Sequence, residues 1–195
     1  FAGRIVWKPL LGADGKPLEG VVVDRNGDGM ISEADRYCYK SPAAPYLAGL
    51  SVRAQYKNWD FGFNLRGSFD NYVFNDRQAG YVNTEKRYDD SFYYLQNTTP
   101  TGLSNKWKTY NWVLTDYFVE NASFVKLDNI TLGYSFDQLF KSSGYKGLSG
   151  RVYLTATNVA TITKYSGQDP EVFGGIDNSI YPRPFSMTLG VNINF

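Results

Sequence analysis

The sequence has no histidine. That excludes Ser/His/Asp and Cys/His nucleophilic catalysis within its 195 residues, and His-ligated zinc with them. Cysteine occurs once, as Cys38, so no disulfide can close inside the segment. The plain reading of Cys38 is a small side chain near a loop. No run of about 18 or more apolar residues is present, which leaves no candidate transmembrane helix. Charge of one sign is also missing. The formal net charge is +1, and no basic stripe marks a nucleic-acid partner. No amino-terminal signal segment is visible. The chain starts at Phe1 rather than Met, as expected of a processed chain or a piece of a longer one.

What is abundant is aromatic. Aromatic residues make up 17% of the chain, with 16 Tyr, 13 Phe and 4 Trp, yet the mean hydropathy is −0.38. Aromatic-rich but polar composition suits strands that alternate apolar and polar side chains. It also suits a membrane barrel with aromatic girdles and a polar interior.

The alternation is explicit. Leu50, Val52, Ala54 and Tyr56 share one face of a strand, with Ser51, Arg53, Gln55 and Lys57 on the other. After a turn at Lys57-Asn58, short enough for a tight hairpin, Trp59, Phe61, Phe63 and Leu65 alternate with Asp60, Gly62, Asn64 and Arg66. The same pattern returns at Ile130–Phe136, at Val152–Ile162 and at Phe185–Phe195. These five strands read as about nine residues or longer, the length of a tilted membrane-crossing strand, against about five or six in soluble sheets. The connections are unequal. One turn is minimal, 137–150 is moderate, and 70–117 and 166–183 are long and rich in Tyr, Asn, Asp and Gly. Short turns at one end and long loops at the other are the plan of bacterial outer-membrane barrels.

Alternation alone does not say which face is wet. A soluble sandwich turns its apolar face inward and a membrane barrel turns it outward. Aromatics near the strand ends and a small, hydroxylic opposite face favour the barrel. The alternative is a soluble β-domain that binds carbohydrate and carries a structural calcium. Parity slips between Phe124 and Asn129: either a bulge near Lys126–Asp128 restores it, or Val125 and Leu127 face inward. Five strands cannot close a membrane barrel, which starts at about eight. The missing strands are therefore expected before Phe1 or in another chain.

One stretch carries metal chemistry. In Asp24–Asp35, oxygen-bearing side chains fall at loop positions one, three and five (Asp24, Asn26, Asp28). Gly29 stands at six, and Met30 at seven offers its carbonyl. Ser32 is at nine and Asp35 at twelve. This is the spacing of an EF-hand-type calcium loop, with Asp where a bidentate Glu is usual. The preceding Val21-Val22-Val23 reads as a strand, so no helix pair flanks it and the role expected of calcium is structural. The alternative is an Asx/Gly-rich turn without metal. Asp169, Glu171 and Asp177 offer carboxylates that a glycosidase could use, although solvated loop acids are commoner. No catalytic residue is assigned. The loop aromatics Tyr81, Tyr88, Phe92, Tyr93 and Tyr94, and further on Trp107, Tyr110 and Trp112, either contact substrate or partner or pack on one another.

Taken in order, these pieces resemble a known family. They are D-R-N-G-D-G-M-I (24–31), S-P-A-A-P-Y (41–46), Y-K-N-W-D-F (56–61) and Y-F-V-E-N-A-S-F-V-K-L-D-N-I-T-L-G-Y (117–134). They continue with N-V-A-T-I-T-K-Y-S-G-Q-D-P-E-V (158–172) and Y-P-R-P-F-S-M-T-L-G-V-N-I-N-F (181–195). The order resembles the C-terminal end of SusC/RagA-type TonB-dependent outer-membrane transporters from about Asp24 to Phe195. The K-Y-S-G-x-D-P-E segment and the aromatic-terminated last strand are the most specific parts.

The resemblance implies an all-β fold: the last antiparallel strands of a barrel of about 22 strands, with residues 1–48 as an extracellular loop and 49–195 as strands and loops. It implies a plug domain and a TonB-contacting segment outside this chain, and a SusD-like surface lipoprotein as a lid. The implied substrates are oligosaccharides or peptides. The implied setting is the lipid bilayer of a Gram-negative outer membrane, with the C-terminus periplasmic. The 57–58 and 137–150 turns are then periplasmic, while the long loops and the calcium-like loop are extracellular. A non-enzymatic role in nutrient uptake follows.

Overall fold

The computed structural model describes residues 4–82, 88–89, 94–95, 99–105, 107, 114–139, 147–178 and 181–194. In chain order the strands begin with β1 (Arg4–Val6), β2 (Pro9–Leu11), β3 (Pro17–Val22), β4 (Tyr37–Tyr39), β5 (Tyr46–Tyr56), β6 (Trp59–Phe69) and β7 (Tyr72–Phe74). Helix α1 (Asp76–Tyr81), β8 (Tyr88–Asp89), β9 (Tyr94–Leu95) and helix α2 (Pro100–Asn105) follow. The chain ends with β10 (Val119–Asn121), β11 (Phe124–Leu139), β12 (Leu148–Thr163) and β13 (Ser186–Asn194). These elements fall into two compact units.

The sheet unit comprises Tyr46–Phe69, Phe124–Thr163 and Pro182–Phe195. Its five strands are antiparallel, in the order β13-β12-β11-β6-β5. They run to 11, 11, 16, 16 and 9 residues for β5, β6, β11, β12 and β13. Apolar side chains line up in ranks across the sheet. Ala54, Phe61, Leu132, Leu154 and Leu189 form one rank, and Val52, Phe63, Ile130, Ala156 and Met187 the next. Alternation in the sequence becomes a whole apolar face because every strand keeps its register. That face is open: Leu132 is 44% exposed, Leu154 39% and Leu189 70%.

Two local devices set the register. At the 57–58 turn Lys57 takes the left-handed conformation (φ 53°). The Asn58 side chain donates to the Ser135 carbonyl at 2.7 Å, and the Ser135 N–H donates to the Asn58 carbonyl at 2.7 Å. The hairpin is thereby strapped to its neighbour β11. The second device is a bulge. Between Leu127 and Asn129 the β11 chain has one residue more than β6 opposite, and β12 has one more again, with Asn158 at φ 51°. Asp128 is the extra residue on β11. The bulge reading of the parity slip is therefore right: Leu127 pairs with Leu65 and Val125 with Gly67 on the apolar face, and neither points inward.

The structure extends the expected strands. β5 begins at Tyr46, and β11 and β12 lengthen until only 140–147 connect them. The chain leaves the sheet unit after β6 and β12 and returns to it at β5, β11 and β13. Barrel closure is not seen. Among the described residues no strand pairs with the outer edges of β5 and β13.

The loop unit comprises Phe1–Pro45, Asp70–Ser123 and Lys164–Tyr181. The segments expected to be loops thus fold together. Phe74, Val82, Trp107 and Phe118 form one apolar cluster, and Val73, Ala122 and Tyr165 another. Short antiparallel pairs (β1 with β4, β2 with β3, β7 with β10, β8 with β9) supply most of its regular structure.

Candidate functional site

The polar face of the sheet unit is the first site. Asp60 on β6 and Arg151 on β12 form a two-point ion pair (Nε–Oδ1 2.9 Å, Nη2–Oδ2 2.5 Å) that reaches across the intervening strand β11. It can do so because the residue beneath is Gly133, where an added Cβ would collide with both side chains. Arg66 grips the bulge residue Asp128 at two points, 2.7 and 3.1 Å, and its guanidinium lies 5.8 Å from the Phe124 ring centre. Asn64 donates to Asn129 at 3.1 Å, and Thr131 pairs with Thr155 at 3.0 Å. A trough of about 510 Å³ runs along this face beside Arg53, Gln55 and Asp60. Half-exposed pairs of this kind add little stability, about 1 kcal/mol or less each. Their effect is to give the sheet a polar face.

The second site lies in the loop unit. Among the described residues, a cleft of about 740 Å³ is lined by Asn75, Arg77, Gln78, Tyr81, Thr101 and Gln168, together with Thr99, Pro100, Ser166 and Gly167. Asn75 is buried and caps α1, accepting from the Gln78 N–H at 2.9 Å. Its amide donates to Glu120 at 3.0 Å and to Ser166 at 3.2 Å. Glu120 also accepts from the Ser166 hydroxyl (2.7 Å) and N–H (2.9 Å). Gln78 donates to Thr101 (2.6 Å), and Arg77 to Gln168 (2.7 Å). Behind the cleft, fully buried Asp177 accepts from the Tyr165 hydroxyl at 2.9 Å and the Gln168 N–H at 3.2 Å. Burial first, and then this carboxylate, raise the Tyr165 phenol above its ordinary value. It stays a neutral donor at any physiological pH.

The residues singled out from sequence are distributed as follows. Tyr81 lines the cleft and is 46% exposed. Trp107 is 3% exposed, packed edge-on against Tyr117 and Phe118. Tyr88 and Tyr94 lie in the paired strands β8 and β9. Phe92, Tyr93, Tyr110 and Trp112 lie outside the described residues. Of the carboxylates, Asp177 is committed to the loop unit's interior, and Asp169, nearly buried, accepts the Glu171 N–H at 2.9 Å.

The 24–35 loop closes on itself. Asp24 accepts the Gly27 and Gly29 N–H groups at 2.7 and 2.8 Å, and Asp28 accepts that of Met30 at 2.8 Å. The Asn26 amide bridges to Asp28 at 2.8 Å and its carbonyl oxygen accepts the Asp28 N–H at 3.0 Å. Asp35, at the last ligand position, has no exposed surface and turns back onto the N–H groups of Arg25 (2.8 Å), Asn26 (3.3 Å) and Ser32 (2.8 Å). The Ser32 N–H is the largest influence, outweighing burial and joined by those of Arg25 and Asn26; together they lower the Asp35 carboxyl below the usual carboxylate range. Among the described residues no three His, Cys, Asp or Glu side chains gather into a group that could hold a metal. Asp24, Asn26 and Asp28 are hard oxygen donors with lone pairs to spare, whereas Asp35, already accepting from three backbone N–H groups, has room for one further bond and could not bind a cation at two points without giving some of them up.

Sequence reasoning missed Asn75, Arg77, Gln78, Thr101 and Glu120, because none stands in a spacing with chemical meaning. Ser166 and Gln168 lay inside the K-Y-S-G-x-D-P-E segment, noted for its resemblance and not for a contact.

Comparison with known proteins follows the same lines. The chain is 44% identical over 192 residues to the TonB-dependent receptor SusC of Bacteroides thetaiotaomicron, covering 97% of this chain and 19% of that protein. It is 27% identical over 204 residues to the TonB-dependent receptor P3 of Formosa agariphila, covering 95% of this chain and 20% of that one. Among solved structures, the RagAB peptide transporter superposes with a TM-score of 0.61 at 24% identity, over 98% of this chain and 21% of that chain. No protein-family model matches. The chain therefore spans about a fifth of the length of the relatives it matches. Those relatives are receptors and importers, not enzymes.

Proposed function

This chain is homologous to about a fifth of the length of SusC/RagA TonB-dependent receptors, and we propose that it forms part of the wall of an outer-membrane importer. The observation that carries the proposal is the two-faced sheet: ranks of uncovered apolar side chains on one side, ion pairs and amides on the other. An apolar face of this extent left open to water would be a strong aggregation site. Facing lipid, it is the outer surface of a barrel whose interior is polar.

The dimensions agree. Aromatic pairs bound the apolar face at both ends of the β5–β6 hairpin, Tyr46 with Phe69 and Tyr56 with Trp59. Trp59 is joined by Tyr134, with ring centres 4.9 Å apart. From Tyr46 to Tyr56 the strand rises about 33 Å at about 3.3 Å per residue. Tilted by about 45°, it spans about 23 Å of membrane, close to the apolar band of about 25 Å in such barrels.

On this reading the chain works with strands and a plug outside it, a TonB-type energy source and a SusD-like lid, and imports oligosaccharides or peptides. Support for a lid protein comes from the RagAB complex, described as a peptide importer. The test uses the full-length protein in native outer membranes, with Cys38 replaced by Ser. Leu132→Cys on the apolar face should resist a water-soluble thiol reagent, while Thr131→Cys next to it should react. Equal reactivity at both positions, or recovery of the protein without detergent, would sink the importer reading.

Calcium at the 24–35 loop is proposed on its spacing alone, through Asp24, Asn26, Asp28 and the Met30 carbonyl, as a stiffener of an outer loop. Its test is limited proteolysis with calcium or chelator. Added calcium should protect the wild-type loop and not the Asp24→Ala/Asp28→Ala variant.

A further inference from the structure

We propose that Asn26 is a site of spontaneous deamidation, which the closed 24–35 loop holds unreactive through the carboxylates of Asp24 and Asp28. Opening the loop then starts a one-way conversion. The reaction consumes only water and requires neither bound calcium nor a partner.

Asn26 is the one asparagine in the sequence followed by glycine. Glycine carries no Cβ to crowd its own nitrogen, so in a freely bending chain the Gly27 nitrogen reaches the Asn26 side-chain carbon. The Gly27 N–H gives its proton to solvent base, and the nitrogen forms a bond to Asn26 Cγ. The Cγ–Nδ2 bond breaks, and the side-chain nitrogen takes up a proton and leaves as ammonia. The product is a cyclic succinimide. Water then opens the ring. Breaking the new bond leaves an ordinary aspartate in place of Asn26. Breaking the original peptide bond leaves isoaspartate, with the main chain running through Cγ. An amide and a water become a carboxylate and ammonia, with nothing oxidised or reduced.

The folded loop blocks the first step in two ways. The Gly27 N–H donates to Asp24 Oδ1 at 2.7 Å. That bond holds the proton, and the carboxylate beside it disfavours a negative charge on the nitrogen. The Asn26 carboxamide is pinned at both ends. Its Nδ2 donates to Asp28 Oδ2 at 2.8 Å, and its Oδ1 accepts the Asp28 N–H at 3.0 Å. It cannot swing over the Gly27 nitrogen while both bonds last. The two carboxylates are fixed in turn, Asp24 by the Gly29 N–H and Asp28 by that of Met30, both at 2.8 Å. Asn26 and Gly27 are exposed, so the protection comes from these bonds and not from burial.

The rate therefore follows the fraction of time the loop spends open. Losing a hydrogen bond to a charged group changes such a fraction by about tenfold or more. Closure does not return after the reaction. The 2.8 Å contact from Asn26 to Asp28 would set one carboxylate against another, and like charges at that distance repel. Isoaspartate also lengthens the main chain inside the loop.

The experiment uses the full-length receptor, purified in detergent and incubated at mildly alkaline pH with chelator. The protection measured is then the loop's own. Samples are digested, and the peptide containing Asn26 is followed by mass spectrometry for the gain that turns an amide into a carboxylate. Folded wild type, wild type in denaturant, and folded Asp24→Ala and Asp28→Ala are compared. The heat-dependent gel mobility of the barrel verifies that the variants are folded. Wild type should react in denaturant and be slower by about tenfold or more when folded. Each variant should react about tenfold or more faster than folded wild type. Three results would overturn the proposal: no reaction at Asn26 in denaturant, folded wild type as fast as denatured, or either variant as slow as folded wild type.

Discussion

At the residue scale, Asp35 and Gly133 are each explained by what surrounds them. Asp35 stabilises its loop only while ionised, since three N–H donors need its charge. Its carboxyl is lowered in the folded state. The stabilisation is thus complete above the ordinary carboxylate value and is lost as pH falls through the lowered one. Protection from amide exchange at Arg25, Asn26 and Ser32, taken relative to the free amide at each pH, should be high at neutral pH and be lost only in acid below the usual carboxylate range. Asp35→Ala should make the same three amides fast at neutral pH, with or without calcium. Unchanged exchange in that variant would show that the carboxylate does not hold the loop.

Gly133 is required by an ion pair it does not itself make. An alanine methyl at that position would enter the space of Asp60 and Arg151. In the full-length receptor, Gly133→Ala should lower the unfolding temperature and should cost less once Arg151→Ala has removed the bridge. A coupling of about 1 kcal/mol is expected, since the pair is part-exposed. Additive effects would mean that Gly133 is needed for another reason.

At the element scale, β11 is informative because its bulge keeps two halves of one strand on the same face. Deleting Asp128 would rotate Phe124–Leu127 by one position, sending Lys126 to the apolar side and Val125 and Leu127 to the polar side. A lysine facing lipid costs up to about 2–4 kcal/mol at mid-membrane and less near the interface. The deletion should therefore sharply reduce the amount of receptor assembled in the outer membrane. Asp128→Ala keeps the residue count and loses only the Arg66 pair, so assembly near the wild-type level is expected. Equal loss in both variants would assign the defect to the ion pair and not to the register.

The same strand shows what the sequence made legible. Alternation is a local signal, so β5, β6, β11, β12 and β13 could be read directly, and the parity slip at Asp128 located the bulge. Alternation says nothing about where a strand stops, and β11 and β12 run further than their apolar stripes. The loop unit was not legible as a folded body. Its stabilising contacts join residues far apart in sequence, as when Asn75 meets Glu120 and Ser166. It also carries no period a strand or long helix would impose. Trp107 was read as a contact-or-packing residue, and only its burial distinguishes the two.

At the scale of the whole molecule, the sheet unit has an apolar face with no cover and two edges with no partner among the described residues. Each would be satisfied in a closed barrel: the edges by further strands, the face by lipid. This predicts how the 195-residue segment behaves when produced alone. The β5 and β13 edges would template pairing between copies, and exposed Leu47, Leu50, Leu189 and Val191 would add hydrophobic association. The segment should collect in the insoluble fraction and should fail to give a monomer in buffer. The full-length receptor should instead give a single heat-modifiable species in detergent. Adding detergent to the isolated segment covers the face but not the edges, so it should yield soluble oligomers and not monomers. A stable detergent-free monomer would require another element of the chain to cover the apolar face, and the two-faced sheet would then be the wall of a soluble β-domain.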